Sequence, residues 1–136
     1  LNRLAAAMSR DFSRLYRERF GLTRPEWRLL ATLGQYGTMT ATAIGQHSSM
    51  HKTKVSRAVT ALEKRRWLAR AADAADRRVE HLSLTKTGMD TYHQLVPVAH
   101  GFEAELLGRM DARERKAVLA GLAALEEAVP GLGPRK

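Results

Sequence analysis

The sequence predicts a mainly α-helical fold with one small β-hairpin, and three observations support this prediction. Apolar residues recur at helical spacings along most of the 136 residues. A basic helical segment, residues 51–66, follows a short helix and a tight turn. Two strand-like segments, residues 67–71 and 79–84, then enclose a polar tip that carries arginines. A helix followed by an arginine-tipped hairpin is the arrangement of a winged helix-turn-helix domain.

Two helices are predicted in the N-terminal part of the chain. The first has apolar residues three or four positions apart and stops at Gly21, which takes a C′-like position. Its apolar residues are Leu4, Met8, Phe12 and Leu15. The second begins with a capping-box pattern at residues 23–26 and is expected to run from about Arg24 to Leu33. Gly34 and Gly37 are expected to end it.

The next two helices are expected to form the helix-turn-helix. Thr40 can cap a short third helix through Ile44 to His47, and residues 48–50 form the tight turn. The fourth helix has an apolar face made of Val55, Ala58, Val59 and Leu62. Its opposite and flanking side chains are Lys52, Thr53, Lys54, Ser56, Arg57, Thr60 and Lys64. Such side chains can reach phosphates and base edges, so this face suits the major groove of DNA. Taken alone, it also fits an ordinary amphipathic surface helix.

The hairpin favours the DNA-binding interpretation. Its tip carries Asp73, Asp76, Arg77 and Arg78. An arginine at a hairpin tip can enter a narrow minor groove, where the negative potential is deepest. Asp76 lies two residues before Arg78 and can hold its guanidinium in position. The same pair could instead only fasten the hairpin to itself, and the two interpretations are compatible.

Apolar stripes at both ends of the chain predict a dimer. Thr85 can cap a long fifth helix that Pro97 is expected to bend. Its apolar residues are Met89, Tyr92, Val96, Ala99, Phe102 and Leu106. A capping-box pattern at residues 111–114 opens the last helix, which residues 130–134 are expected to end. Its stripe consists of Val118, Leu122, Leu125 and Val129. Such stripes need a partner surface, unless they close onto the chain's own core.

Positive charge is concentrated where the predicted DNA-binding face lies. The chain has 23 Lys and Arg against 14 Asp and Glu, a net charge of +9. Residues 51–78 hold nine Lys or Arg and three Asp or Glu, so +6 of that charge lies in about a fifth of the chain. Localised positive charge is what a phosphate-facing surface needs. The plainer alternative is a solvated basic face without a partner.

Composition narrows the class of protein. With 44% hydrophobic residues, a chain of 136 residues can form one domain with a core. No apolar run approaches the ~20 residues that a membrane span requires, and no signal-peptide pattern is present. We therefore expect no membrane partner and a cytoplasmic location. The absence of cysteine excludes disulfides and thiolate metal sites within this sequence.

No set of residues points to catalysis or to a cofactor. The sequence has no phosphate-binding Gly-rich motif, no Ser/His/Asp spacing with supporting context and no clustered carboxylates. We therefore predict that the protein is not an enzyme. His47 and His51 have the i, i+4 spacing of a zinc pair but lack an obvious third ligand, so we predict no metal. His51 is better placed to contact a phosphate or to cap the fourth helix.

Several of these motifs resemble those of the MarR family of winged-helix transcriptional regulators. The family's wing pattern D-x-R-x5-L-T is similar to residues 76–85, which read Asp-Arg-Arg, then VEHLS, then Leu-Thr. Residues 22–27 resemble the start of the family's second helix, residues 52–62 its recognition helix, and residues 84–88 the start of its fifth helix. The resemblance implies an obligate homodimer that places two recognition helices in successive major grooves of a pseudo-palindrome.

The resemblance also divides the chain into three parts within one compact domain. Residues 1–22 would form an N-terminal dimerisation helix, residues 23–85 the DNA-binding lobe, and residues 86–136 the C-terminal dimerisation helices. The recognition helix is expected to read double-stranded operator DNA while the wings anchor it. The expected DNA contacts are Lys52, Thr53, Lys54, Ser56, Arg57, Lys64, Arg77 and Arg78, and Asp76 is expected to support the wing.

A small-molecule effector is implied too, because family members commonly release DNA when an aromatic or phenolic ligand binds between the dimer arm and the DNA-binding lobe. The residues that could line such a pocket are Phe12, Tyr16, Trp27 and Tyr92, although each also fits the core. A set of arginines lies on or near the first helix, far from the expected groove-facing helix: Arg10, Arg14, Arg17, Arg24 and Arg28. They could receive an aromatic acyl-coenzyme A thioester, which carries several phosphates. The alternative is solvated charge or ion pairing between subunits.

Arg66 departs from the family pattern, which usually has glycine at this place after the fourth helix. If the position keeps a positive φ, arginine costs roughly 1 kcal/mol that glycine would not. Either the turn is rebuilt, or the strain is tolerated while Arg65 and Arg66 supply charge near the DNA backbone.

The sequence therefore favours a ligand-responsive transcriptional regulator, expected to act as a repressor. The alternative is a sequence-tolerant architectural protein that uses the same basic surface without a small-molecule switch. A dimeric ligand carrier that has lost DNA binding is disfavoured by the intact basic helix and wing.

Overall fold

A computed structural model describes residues 1–130, which form six helices and three short strands. The helices are α1 (Asn2–Phe20), α2 (Arg24–Tyr36), α3 (Ala41–Ser48), α4 (Lys52–Lys64), α5 (Lys86–Gly108) and α6 (Ala112–Ala128). The strands are β1 (Met39–Thr40), β2 (Leu68–Ala72) and β3 (Glu80–Leu84). The chain forms two compact units, Leu1–Ala99 and His100–Lys136. Among the described residues, no helix combines the length and the apolar character needed to cross a membrane.

The strands form a three-stranded antiparallel sheet in the order β1-β3-β2. The predicted hairpin is confirmed, with its strands beginning one residue later than expected. A third strand, which was not predicted, joins the edge of the hairpin, because Met39 pairs with Leu82 and Thr40 with His81. Strand β1 has two residues, too few to show the alternation by which a strand is recognised in a sequence.

The core of the first unit lies between α2, α3, α4 and the sheet. Leu29, Leu30 and Leu33 of α2 are fully buried, and Ile44 of α3 joins them. The predicted apolar face of α4 is confirmed, since Val55, Ala58, Val59 and Leu62 are all buried. Because four positions at helical spacing are buried together, the rotation of α4 about its own axis is fixed.

Gly34 does not end α2, contrary to the sequence-based expectation. The helix continues to Tyr36 and stops at Gly37, which has φ 81°. A Cβ atom at Gly34 would lie 2.4 Å from the ring of Tyr92. Because Gly34 has no side chain, α5 can approach α2 closely at this point. Gly34 does not break the helix.

The predicted stripes of the terminal helices are only partly buried in the single chain. Tyr16 is the buried residue of α1, whereas Leu4 is 61% exposed. In α5 the buried positions are Gly88, Thr91 and Leu95, so the predicted stripe was offset from the buried face. Pro97 lies inside α5, and its predicted bend stays a prediction. In α6 every described side chain is exposed, including the predicted stripe of Val118, Leu122, Leu125 and Val129. The predicted helix end at residues 130–134 lies almost wholly outside the described residues.

The turn between α4 and β2 keeps the positive φ that glycine would favour. Arg66 has φ 62°, so the turn is not rebuilt and the strain is tolerated. The hydroxyl of Thr85 donates to the carbonyl of Arg66 at 2.7 Å, and the Thr85 amide donates to the carbonyl of Trp67 at 3.0 Å. A Cβ atom at Gly88 would lie 2.0 Å from the same Trp67 carbonyl oxygen. The start of α5 thus holds the strained turn in place.

Arg65 ties the end of α4 to the end of α1. Its guanidinium donates to the carbonyl of Phe20 at 2.7 Å and to that of Gly21 at 2.6 Å. The same guanidinium lies over the ring of Trp67, 4.8 Å from its centroid. These carbonyls are free acceptors of the last turn of α1, which favours a cation there. Two of the five donors of Arg65 are thus used within the fold, and the charge that it was expected to supply near the DNA backbone stays a prediction.

Replacing Arg66 with glycine should stabilise the protein. Arg66→Gly removes the Cβ clash of a left-handed residue, and we expect the free energy of unfolding to rise by about 1 kcal/mol. Urea unfolding at one protein concentration measures the change. Arg66→Ala is the control, since it removes the long side chain but keeps the Cβ atom. An equal gain in both variants would show that the side chain, and not φ, is the source of strain.

Removing the donors of Arg65 should loosen the junction between α1 and α4. Arg65→Met keeps an aliphatic chain over Trp67 but cannot donate to the two carbonyls, so we expect a loss of about 1–2 kcal/mol in the free energy of unfolding. Arg66→Met is the matched control, with an expected change within about 0.5 kcal/mol. Equal losses in the two variants would contradict the role given to the Arg65 donors.

Candidate nucleic-acid interface

The exposed face of α4 carries the residues predicted to contact DNA. Burial of the apolar face leaves seven polar or basic side chains exposed: Lys52, Thr53, Lys54, Ser56, Arg57, Thr60 and Lys64. The hydroxyl of Thr60 donates back to the carbonyl of Ser56 at 3.1 Å. His51 takes the N-cap position without a side-chain capping bond, so its predicted capping role was wrong. The first amides of α4 therefore have no side-chain cap, which leaves the positive end of the helix dipole open to an anion.

Two clefts flank α4, and together they are lined by five of its seven exposed polar or basic residues. The first, of about 540 Å³, faces the sheet and includes Lys52 and Ser56. The second, of about 710 Å³, faces α2 and includes Thr53, Lys54 and Arg57. We call them the sheet-side cleft and the α2-side cleft. Helix α4 thus carries different side chains on its two flanks.

One of the two basic residues in the sheet-side cleft, Arg70, is compensated by acids. Arg70 of β2 donates to Glu63 of α4 at 2.8 Å and to Glu80 of β3 at 3.1 Å. The hydrogen bond to Glu63, followed by that to Glu80, raises the pKa of Arg70 above its ordinary value. This three-residue network joins the last turn of α4 to both strands of the wing. Sequence reasoning missed it, because its members come from three separate elements.

The α2-side cleft is lined by four basic residues and no acidic one. Two come from α4, Lys54 and Arg57, and two come from α2, Arg24 and Arg28. The guanidinium of Arg28 also donates to the carbonyl of Ser48 at the end of α3. The expectation that Arg24 and Arg28 lie far from the groove-facing helix was therefore wrong. The capping box at the start of α2 fixes both arginines one turn apart on the side of α2 that faces α4.

The wing tip is organised by the predicted pair of Asp76 and Arg78. Asp76 Oδ1 accepts from the Arg78 amide at 3.0 Å and from Arg78 Nε at 3.1 Å. These bonds, the one from the side chain first, lower the pKa of Asp76 below its usual value. The side chain of Arg78 is 91% exposed. Arg77 is exposed beside it, and no ion pair to Arg77 occurs among residues 1–130. Asp76 thus holds the guanidinium of an exposed arginine in position.

A second carboxylate, which sequence reasoning did not assign, closes the wing turn. Asp73 Oδ2 accepts from the amides of Ala75 and Asp76 at 3.0 Å each, and Asp73 Oδ1 lies 2.8 Å from His81 Nε2. The bond from His81, and then the two amides, lower the pKa of Asp73. An aspartate that accepts from amides two and three residues ahead is a recognisable turn signal, and it could have been found.

The lowered pKa values of Asp73 and Asp76 determine the pH range in which the wing turn keeps its negative charges. A carboxylate whose pKa is depressed in the folded state stabilises that state above its unfolded pKa, and this contribution is lost as the pH falls through the folded value. Asp73 and Asp76 have ordinary values of 3.8 and lie lower here. Both therefore stay ionised at neutral and mildly acidic pH.

The predicted effector residues are only partly brought together. Phe12, Tyr16 and Trp27 pack on one another, with ring centroids 5.4 to 5.9 Å apart. Burial raises the pKa of Tyr16, and the nearby Arg24 and Arg17 oppose that rise. Tyr92 packs on Gly34. The arginines Arg10, Arg14 and Arg17 are exposed on α1.

The two histidines of the i, i+4 pair have different surroundings. The ring of His47 packs edge-on against Tyr36, with 4.4 Å between centroids, whereas His51 lines the α2-side cleft. Within the described part of the chain, no three His, Cys, Asp or Glu side chains cluster in a way that could hold a metal ion.

Comparison with known proteins identifies the fold and a family resemblance. Residues 22–79, from the start of α2 to the wing, match the model of the MarR family. The chain is 28% identical over 103 residues to the HTH-type transcriptional regulator YwaE of Bacillus subtilis, covering 76% of this chain. It spans about 60% of the length of that relative.

Solved structures of similar fold include a regulator in complex with DNA and a regulator whose DNA binding responds to a small molecule. The structure of S. aureus MepR in complex with DNA has a TM-score of 0.79, 20% identity and 94% coverage of both chains. BpsR of Bordetella bronchiseptica, whose DNA binding is regulated by 6-hydroxynicotinic acid, has a TM-score of 0.76 and 21% identity, covering 92% of this chain and 97% of BpsR. The matched segment covers the helix-turn-helix, the first wing strand and the wing tip, and over this segment the chain resembles the MarR family of transcriptional regulators.

Proposed function

We propose that this protein is a dimeric repressor that binds a pseudo-palindromic operator and releases it when a small aromatic ligand binds. The observation that carries the proposal is the exposed polar and basic face of α4 beside an arginine-tipped wing. A helix with this face fits the major groove, and an exposed arginine held by an aspartate fits the minor groove. The proposed DNA contacts are Lys52, Thr53, Lys54, Ser56, Arg57, Lys64, Arg77 and Arg78.

The apolar surface that the single chain leaves open supports the proposed homodimer. Large apolar side chains are exposed on both terminal helices: Leu1, Leu4, Met8, Val118, Leu119, Leu122, Leu125 and Val129. Exposed apolar side chains grouped on a helix mark interaction surfaces. A twofold dimer would present two copies of α4 to two half-sites about one helical turn, or ~34 Å, apart.

The proposed effector is an aromatic acid, a phenolic compound or an aromatic acyl-coenzyme A thioester. Regulation of BpsR by an aromatic acid supports the first class. The cluster of Phe12, Tyr16 and Trp27 lies beside the exposed arginines of α1 and offers apolar contact near positive charge. Ligand binding would favour a half-site spacing that no longer matches the operator.

Binding to the DNA that flanks the protein's own gene tests the function. We expect affinity for that DNA to exceed affinity for a scrambled duplex by about 10³ or more at ~150 mM salt. One compound from a panel of aromatic acids and their coenzyme A thioesters should abolish the difference. Equal affinity for both duplexes, insensitive to every compound, would instead support the architectural alternative.

The wing and the end of α4 should contribute differently to binding. We expect Arg78→Ala to weaken operator binding about tenfold or more. Lys64→Ala should lower the slope of log K against log salt by about one per protomer, with little change in sequence preference. Salt titrations on operator and scrambled duplexes measure both effects. An equal loss of sequence preference in the two variants would refute this division of roles.

A further inference from the structure

The α2-side cleft is a strongly basic concave surface, and the DNA contacts proposed above account for only two of its four basic residues, Lys54 and Arg57. Arg24 and Arg28 lie outside the helix-turn-helix, yet they line the same cleft as Lys54 and Arg57. None of the nine lining residues is acidic. A cleft of about 710 Å³ with four cations is wide enough for a phosphate group and its hydration.

Arg24 is the arginine of α2 in this cleft whose guanidinium has no partner among residues 1–130. The guanidinium of Arg28 is already engaged by the carbonyl of Ser48. No hydrogen bond or ion pair from the side chain of Arg24 to another protein group occurs in the described part of the chain. An arginine without a partner gains most from a phosphate, whose oxygens match the guanidinium fork.

The open N-terminus of α4 gives an independent reason to place an anion here. His51 occupies the N-cap without a capping bond and lines the cleft beside Thr53. The first amides of α4 therefore point toward the same space as the four basic side chains. Helix amides and arginines together are a common phosphate-binding arrangement.

We infer that the α2-side cleft binds a DNA backbone phosphate next to the major groove that α4 reads, and that Arg24 makes this contact. The inference rests on the proposed function, since it needs α4 in the major groove. It adds α2 to the DNA-contacting elements, so each protomer holds the backbone from outside the helix-turn-helix. Contacts to phosphate fix position and orientation and carry no sequence information. Arg24 should therefore contribute equally to operator and random DNA.

Substitution of Arg24 tests the inference. We expect Arg24→Gln to lower the slope of log K against log salt by about one per protomer, and to the same extent on operator and scrambled duplexes. Arg19→Gln is the matched control, because Arg19 is exposed on α1 and does not line the cleft. If the slopes of Arg24→Gln and Arg19→Gln change equally, Arg24 makes no local contact and the inference fails.

Neutral methylphosphonate substitution locates the contact on the DNA. We expect one position beside each half-site at which the substitution weakens the natural protein about five- to tenfold in 0.1 M salt, as expected for one lost phosphate contact. Arg24→Gln should be insensitive to the substitution at that position only. Additive losses at every position would overturn the assignment.

A free anion is the other source of the same chemistry, and inorganic pyrophosphate is the probe for it. If Arg24→Gln abolishes pyrophosphate binding but leaves the DNA salt slope and the methylphosphonate pattern unchanged, the cleft is a free-anion site and the inference is wrong. Its failure differs from failure of the proposed function. In the first case the natural protein still prefers the operator, whereas in the second it has no preference for any variant to alter.

Discussion

The burial of one face of α4 is the constraint on which the DNA-binding surface depends. Val55, Ala58, Val59 and Leu62 are buried against the leucines of α2, and each of the larger side chains contributes roughly 1.5–3 kcal/mol by leaving water. A rotation of α4 by one residue, about 100°, would bury Arg57 or Ser56 in place of an apolar residue. The cost of such burial keeps the polar side chains outward. The core therefore fixes which side chains α4 exposes on its surface before any partner is bound.

A second constraint sets the wing relative to α4. The carbonyls of Arg66 and Trp67 accept from Thr85, and the missing side chain of Gly88 allows α5 to lie against Trp67. This corner joins the recognition helix, the wing and α5 through backbone groups, which have little rotational freedom. The left-handed conformation of Arg66 is tolerated because neighbouring bonds hold it. The wing consequently leaves α4 in a fixed direction, which a paired readout of major and minor groove needs.

The parts of the fold that the sequence predicted are those with a local signal. Helix caps at Thr23, Thr40 and Asp111 and the pair of Asp76 and Arg78 all join residues two or three positions apart, so spacing alone reveals them. The contacts missed join distant residues. The guanidinium of Arg28 reaches across 20 positions, and that of Arg65 across 45, to backbone carbonyls that any sequence would carry. Because every residue has a backbone carbonyl, such an acceptor cannot be recognised from the amino-acid sequence. For this reason these arginines were assigned to ligand or DNA.

Net charge alone therefore describes this surface poorly, because arginines of equal charge make different contacts. Arg70 is compensated by Glu63 and Glu80 and links α4 to the wing. Arg65 donates hydrogen bonds to backbone carbonyls at the end of α1. Surface ion pairs of this kind contribute little stability, typically 0–1 kcal/mol, but they orient the elements they join. An architectural protein that relies on counterion release would gain from leaving every cation unpaired. A chain that uses part of its positive charge to orient a helix and a wing is better suited to reading one DNA sequence in one register.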